Sequence, residues 1–155
     1  MRAQEGSFVF RTVKKSDANE LHRLLNDLSA DAKKFFHPHP FDLKTITEIC
    51  TAKKDHYFVM EQNDTIIGYS FLRLFGYATP SYGCCIRKEY QGKGYGIALT
   101  RETLKKAKEL GYPGVILKVY KENRAAFKTY KNIGFEIVGE TGDKKQYKME
   151  ITIIP

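Results

Sequence analysis

Two hydrophobic periods alternate along this chain, and each change of period marks an element. Phe8-Val9-Phe10-Arg11-Thr12-Val13 reads as a first strand. Leu21, Leu24, Leu25 and Leu28 then recur at i, i+3, i+4 and i+7, which is one face of a helix. Asp17 with Glu20 predicts a capping box at its start. Phe35-Phe36-His37-Pro38-His39-Pro40-Phe41 holds two prolines two residues apart and reads as a rigid aromatic loop. Asp42 caps a second helix that turns Leu43, Ile46, Ile49 and Cys50 inward. His56–Gln62 and Thr65–Phe75 are β-rich runs joined at Asn63-Asp64, a hairpin signal.

Ser81–Ile86 is a further strand, entered through Thr79-Pro80. The turn Gly92-Lys93-Gly94-Tyr95-Gly96 opens a long helix with Ile97, Thr100, Leu104, Ala107 and Leu110 as its inner stripe, stopped by Gly111 and Pro113. Val115–Tyr120 is a strand, and Asn123 caps a short helix that ends at Gly134. Phe135–Val138 and Gln146–Ile154 close the sheet as a pair. The order predicts an α+β fold in one domain over residues 1–155, without linker or repeat.

Composition changes this picture little. The 155 residues are 42% hydrophobic and 28% charged, which excludes disordered and low-complexity classes. No run approaches the roughly 18 apolar residues of a membrane helix, and the polar start Met1–Gly6 is not the apolar core of a signal peptide. Cys84 and Cys85 are adjacent, the third cysteine is Cys50, and no zinc-ligand spacing exists. Reduced thiols and a cytoplasmic location are expected, and no metal. The net charge of +8 is one-sided: residues 1–75 carry 11 Lys+Arg against 10 Asp+Glu, and residues 76–155 carry 15 against 8. Such an excess suits an anionic ligand, and a solvated lysine-rich surface explains it equally well.

The glycine turn narrows the choice. Strand, then Gln91-Gly92-Lys93-Gly94-Tyr95-Gly96, then helix, is a phosphate cradle. Glycines permit positive φ and close backbone approach, and the helix N-terminus favours an anion by ~0.3–2 kcal/mol. A P-loop would need Gly-Lys-Ser/Thr after four intervening residues, which is absent. A dinucleotide fingerprint would need glycine where Ile97 stands and an acid about 20 residues on, where the strand reads Val115-Ile116-Leu117-Lys118-Val119-Tyr120.

Gln91-x-x-Gly94-x-Gly96 resembles the [Arg/Gln]-x-x-Gly-x-[Gly/Ala] signature of the GNAT superfamily, the acetyl-CoA-dependent N-acetyltransferases. The second signature follows as Asn123-x-x-Ala126-x-x-x-Tyr130-x-x-x-Gly134-Phe135, and the match runs from about Phe8 to Glu150. The resemblance implies a mixed, mostly antiparallel sheet of about seven strands, splayed between the fourth and fifth, with about four helices. It implies acetyl-CoA as cosubstrate. Gln91, Gly92, Lys93, Gly94, Tyr95 and Gly96 would bind its pyrophosphate, Ile86 would pair with its pantetheine arm beside the thioester carbonyl, and Asn123 would touch it from the neighbouring strand end. Asn123 is equally an ordinary helix cap. Tyr130 matches the family's general acid. A neutral phenol, pKa ~10 unperturbed, can protonate a leaving thiolate, although Tyr130 also fits a packing stripe with Phe127 and Ile133.

The family's usual glutamate base does not carry over, because Pro80 stands at that position. His37 and His39 lie in the segment that covers the family's acceptor site, and neutral histidine can take a proton directly or through water. Packing with Phe35, Phe36 and Phe41 is the plainer role for both. The aromatic loop, with Ile67–Arg73 and Pro80–Gly83, also resembles members associated with polysaccharide and nucleotide-sugar enzymes. This implies an amino-sugar acceptor, with Arg73 holding a carrier's phosphates. Protein N-termini, lysines and amino acids are the competing acceptors, and a non-catalytic CoA-binding module is the competing class. The expected partner is a small-molecule amine, with neither nucleic acid nor membrane, and a homodimer is admitted.

Overall fold

The computed structural model describes residues 7–153. Residues 1–6 and Ile154, which the sequence reading assigned to a polar start and to the last strand's end, lie outside the described residues. The chain runs β1 (Val9–Thr12), α1 (Ala18–Asn26), α2 (Ala30–Phe35), α3 (Leu43–Cys50), β2 (His56–Gln62), β3 (Thr65–Arg73), β4 (Ser81–Ile86), α4 (Tyr95–Glu109), β5 (Gly114–Tyr120), α5 (Arg124–Ile133), β6 (Glu136–Glu140) and β7 (Gln146–Thr152). One seven-stranded sheet has the order β1-β2-β3-β4-β5-β7-β6. Every neighbouring pair is antiparallel except β4 with β5. Four helices have eight residues or more, and α2 is a fifth, shorter one.

The central strands are buried on both faces, so alternate residues join different cores. Tyr57 and Val59 of β2 pack with Leu21, Leu24 and Leu25 of α1 and Ile46 of α3. Phe58 packs with Leu72 and Ala107, and Met60 with Ile67 and Leu99, on the α4 side. The Asn63-Asp64 hairpin forms with both residues at positive φ, 51° and 63°, as a two-residue turn of this hand requires.

Several local expectations change. Asp17 and Glu20 form no capping box. Asp17 instead takes the Arg11 guanidinium in two bonds of 2.8 Å and the Lys14 N–H, while Glu20 accepts the Ile66 N–H at 2.7 Å. Both acids are worth more to the tertiary structure than to one helix end, because each satisfies a donor that burial would otherwise strand. The start of the expected loop is helical, since Ser29 caps α2 by accepting from the Ala32 N–H. The inner stripe of α4 is shifted in part: Thr100 and Ala107 are buried as expected, but Ile97 and Leu110 are over 40% exposed, and Tyr95, Leu99 and Thr103 are buried too. Two threonines fit that core because their hydroxyls are satisfied. Thr103 donates to the Leu99 carbonyl and Thr100 to that of Gly96, which leaves each oxygen to accept from Ser70 and Tyr82 respectively, at 2.8 Å.

Candidate active site

The sheet opens where its only parallel pair begins. β4 and β5 are in register at Ser81 and Ile116, where the Ile116 N–H donates to the Pro80 carbonyl at 3.0 Å. Towards Ile86 and Tyr120 the strands part. The gap is one end of a cleft of about 640 Å³, walled by Tyr82–Ile86 of β4, Lys118–Tyr120 of β5, and residues of α2, α4 and α5. Gly83 lies at this junction, where an added Cβ would press into the Phe71 ring and force it to shift.

The glycine turn closes one end of the cleft. Gly92 and Gly94 hold φ of 75° and 90°, which other residues rarely adopt. Gly94 is the N-cap of α4 and has no side chain to cap it, so the first-turn N–H groups lack that partner. Gln91 ties the turn to the strand by donating from Nε2 to the Ile86 carbonyl at 3.1 Å. Ile86, Gln91, Gly92, Gly94 and Gly96 all line the cleft. Lys93 and Tyr95 do not: the Lys93 ammonium lies 5.9 Å from the Tyr90 ring centre, and Tyr95 is buried with its hydroxyl bonded to Gln62 Nε2. Tyr95 can offer the cleft only its backbone.

Asn123 caps α5, accepting from the Ala126 N–H at 3.4 Å, and also lines the cleft. Tyr130 lines the same cleft and packs edge-on against Tyr82 and Phe135. Its hydroxyl lies 3.8 Å from Cys84 Sγ. Desolvation, reinforced by Cys84, holds the Tyr130 phenol well above its ordinary pKa, so it stays protonated at neutral pH. Burial likewise pushes up the Cys84 thiol.

The two loop histidines part company. His39 Nδ1 bonds the Pro40 carbonyl at 2.8 Å, which must be the acceptor, so Nδ1 carries the proton. Nε2 then accepts from the buried Tyr69 hydroxyl at 2.9 Å. Burial lowers the His39 pKa, and both ring nitrogens are engaged, so His39 anchors the loop and is not placed to serve as a base. His37 is exposed, and its Nε2 lies 2.9 Å from the hydroxyl of Tyr120, which lines the cleft. Neither histidine itself lines it. Arg73 also departs from its expected role: Nη1 donates to the Pro38 carbonyl at 2.9 Å and the guanidinium stacks 4.6 Å from the Phe75 ring centre.

The sequence reading missed Tyr82, Thr100 and Tyr120 as cleft residues. Strand alternation was the available signal for Tyr120, which shares a β5 face with Lys118. No group of three or more His, Cys, Asp and Glu that could hold a metal occurs among the described residues. No helix among them is long and apolar enough to cross a membrane.

A splayed parallel pair beside a glycine-capped helix is matched by known proteins. The sequence model of the acetyltransferase (GNAT) domain fits residues 7–136. The chain belongs to the GNAT acetyltransferases. No curated protein sequence matches it. Among solved structures, a GNAT-family acetyltransferase from Streptococcus pneumoniae superimposes with a TM-score of 0.78 at 21% identity, covering 96% of this chain and 100% of that one. The ribosomal-protein-S5-alanine acetyltransferase from Vibrio fischeri gives 0.78 at 17%, covering 94% and 92%. The spermidine/spermine N-acetyltransferase SpeG from Vibrio cholerae, as mutant forms, gives 0.74 at 21%, covering 94% and 95%. At these identities the likeness is one of fold. Membership in the GNAT family makes an acyltransferase of this chain.

Proposed function

We propose that this GNAT protein transfers the acetyl group of acetyl-CoA directly to a primary amine. One observation carries the reading: the uncapped α4 N-terminus, the exposed backbone edge of β4 and the protonated Tyr130 hydroxyl all open into one cleft. The turn fits a pyrophosphate, since its two positive-φ glycines carry no side chains and its helix dipole favours an anion. Gln91, Gly92, Gly94 and Gly96 would hold it, with Lys93 and Tyr95 contributing backbone alone. Past Ser81, β4 has no register partner in β5, so its backbone is available to an extended arm, with N–H groups near Ile86 to polarise a thioester carbonyl. Asn123 would approach from the far wall. Tyr130 would give its proton to the departing thiolate. Its raised pKa does not disqualify it, because the same desolvation makes the thiolate a stronger base.

The acceptor proposed is a primary amine of a small molecule. The sugar amine expected from the sequence remains in that class, but Arg73 is engaged by Pro38 and Phe75, so the linked carrier loses its phosphate ligand. Free amino sugars therefore head the screen. Alanyl peptides and spermidine join it, because the Vibrio fischeri protein is named for an alanine of ribosomal protein S5 and the Vibrio cholerae protein for spermidine and spermine. The test is acetyl-CoA-dependent thiol release with each amine, beside the melting temperature with acetyl-CoA alone. Turnover with any amine and a stabilised protein are expected. A shift without turnover of any amine would leave a CoA-binding module. No shift would sink both readings.

A further inference from the structure

The family's usual carboxylate is missing from the cleft, and the fold supplies another route for the proton. Pro80 offers that position only a carbonyl, which takes the Ile116 N–H. Among the described residues, Asp31 is the one carboxylate that lines the cleft, exposed on the first turn of α2 where it complements the helix dipole. Across from it stands Tyr120, near the end of β5 and beyond the point where the strands part. Its ring is held by Phe35 at 5.7 Å between centres, and its hydroxyl meets His37 Nε2 at 2.9 Å. The Lys34–Glu122 ion pair, 2.8 Å and exposed, also links α2 to the chain just after β5, apart from the Tyr120–His37 contact.

We propose that Tyr120 and His37 form the proton-accepting relay of this cleft, with Tyr120 touching the amine and His37 acting through it. This rests on the acetyltransferase reading above. The amine arrives as an ammonium. Its first proton passes to the Tyr120 oxygen as the Tyr120 hydroxyl proton passes to His37 Nε2, so Tyr120 ends neutral and His37 cationic. The freed nitrogen lone pair forms the N–C bond, and the C–S bond breaks with its electron pair on sulfur. Tyr130 gives its proton to that sulfur and is reprotonated by the second nitrogen proton. His37 is exposed and returns its proton to water, so the sum is amide, free thiol and one released proton. His39 cannot do this, since Tyr69 and Pro40 occupy both its nitrogens.

The charged and titratable groups on the elements around His37 are Asp31, Lys33 and Lys34 of α2, His39 of its own loop, Lys118 and Tyr120 of β5, Lys121 and Glu122 after it, and Arg73 on Pro38. The test must separate a relay from a strap that merely holds α2 against β5. kcat/KM is measured against pH for the wild type, Tyr120→Phe, His37→Ala, Asp31→Asn and Lys34→Met, using whichever of glucosamine, an alanyl peptide and spermidine is turned over fastest. The acetyl-CoA melting shift is recorded for each. Imidazole 15N spectra of the wild type and Tyr120→Phe give a readout without an acceptor.

Tyr120→Phe and His37→Ala should each lower kcat/KM by ~10²-fold at neutral pH and lose the acid limb of the profile. Their acetyl-CoA shift should be preserved. Lys34→Met should keep both rate and limb. The spectra should show His37 with its proton on Nδ1, and a Nε2 signal that moves in Tyr120→Phe. The relay is overturned if His37→Ala keeps the wild-type limb, if Lys34→Met loses as much, if Asp31→Asn alone removes the limb, or if Nε2 carries the proton. If no probe amine is turned over, the spectra decide. A wild type without an acetyl-CoA shift would instead overturn the underlying reading.

Discussion

The two ends of the cleft are built on different principles. The end proposed to take the cofactor is made of main chain from one contiguous stretch, Ile86 to Gly96, where two positive-φ glycines and one uncapped helix present N–H groups. The proposed acceptor end is made of side chains from distant stretches, with Phe35 meeting Tyr120 across more than eighty residues. A backbone site tolerates change at its side chains and none at its φ angles. A side-chain site has the opposite sensitivity, and this is how one fold can keep its cosubstrate while its acceptor changes.

Breaking the cofactor end should have the largest effect. Gly94→Asp forces a side chain into φ of 90° and puts a negative charge where a pyrophosphate is expected. The acetyl-CoA melting shift should vanish and activity fall below detection, as thermal melts and thiol release would show. An unchanged shift would move the cofactor elsewhere. Tyr130→Phe sharpens the contrast, because it removes a donor and leaves the backbone untouched. kcat should fall ~10- to 1000-fold with acetyl-CoA affinity unchanged. A fully active variant would make Tyr130 a packing residue.

Phe35→Ala acts on the acceptor end alone. It removes the ring against Tyr120 and should raise the amine KM several-fold while sparing acetyl-CoA. Equal changes in both constants would mean that the two ends are not separable.

The smallest expected effect is the loop's pH dependence. Burial lowers the His39 pKa, so the unfolded chain binds this proton more readily. Stability is then full above the unfolded value of about 6.5 and declines as pH falls towards the lower folded value. His39→Gln should flatten this slope in denaturant titrations. A residual slope is expected from His56, whose pKa burial also lowers. An unaltered slope in the variant would show that His39 is not the anchor described.

The glycine turn at the end proposed for the cofactor was legible because its determinants are local. Spacing within Gln91–Gly96 already demands a tight turn into a helix, and Asn123 to Gly134 announces a capped one. The succession of strands and helices followed from period and turns, down to the Asn63-Asp64 hairpin. Helix faces were less legible. Thr103 falls outside the predicted inner stripe but is buried because its hydroxyl finds partners, and Ile97 and Leu110 read as core but are over 40% exposed.

The sequence by itself determined the family, the succession of strands and helices and the glycine turn into α4, since the motifs, periods and turns that mark them are local. Only the tertiary structure decided which histidine meets a residue that lines the cleft. His37 and His39 are two residues apart on one rigid loop and nearly equivalent on paper. Their partners, Tyr120 and Tyr69, stand 83 and 30 residues away in sequence, and the packing of α2 against the end of β5 sets which hydroxyl each ring meets. Hydrogen-bond partnership is a matter of about 3 Å in space, and over such separations the one-dimensional pattern carries no distance information.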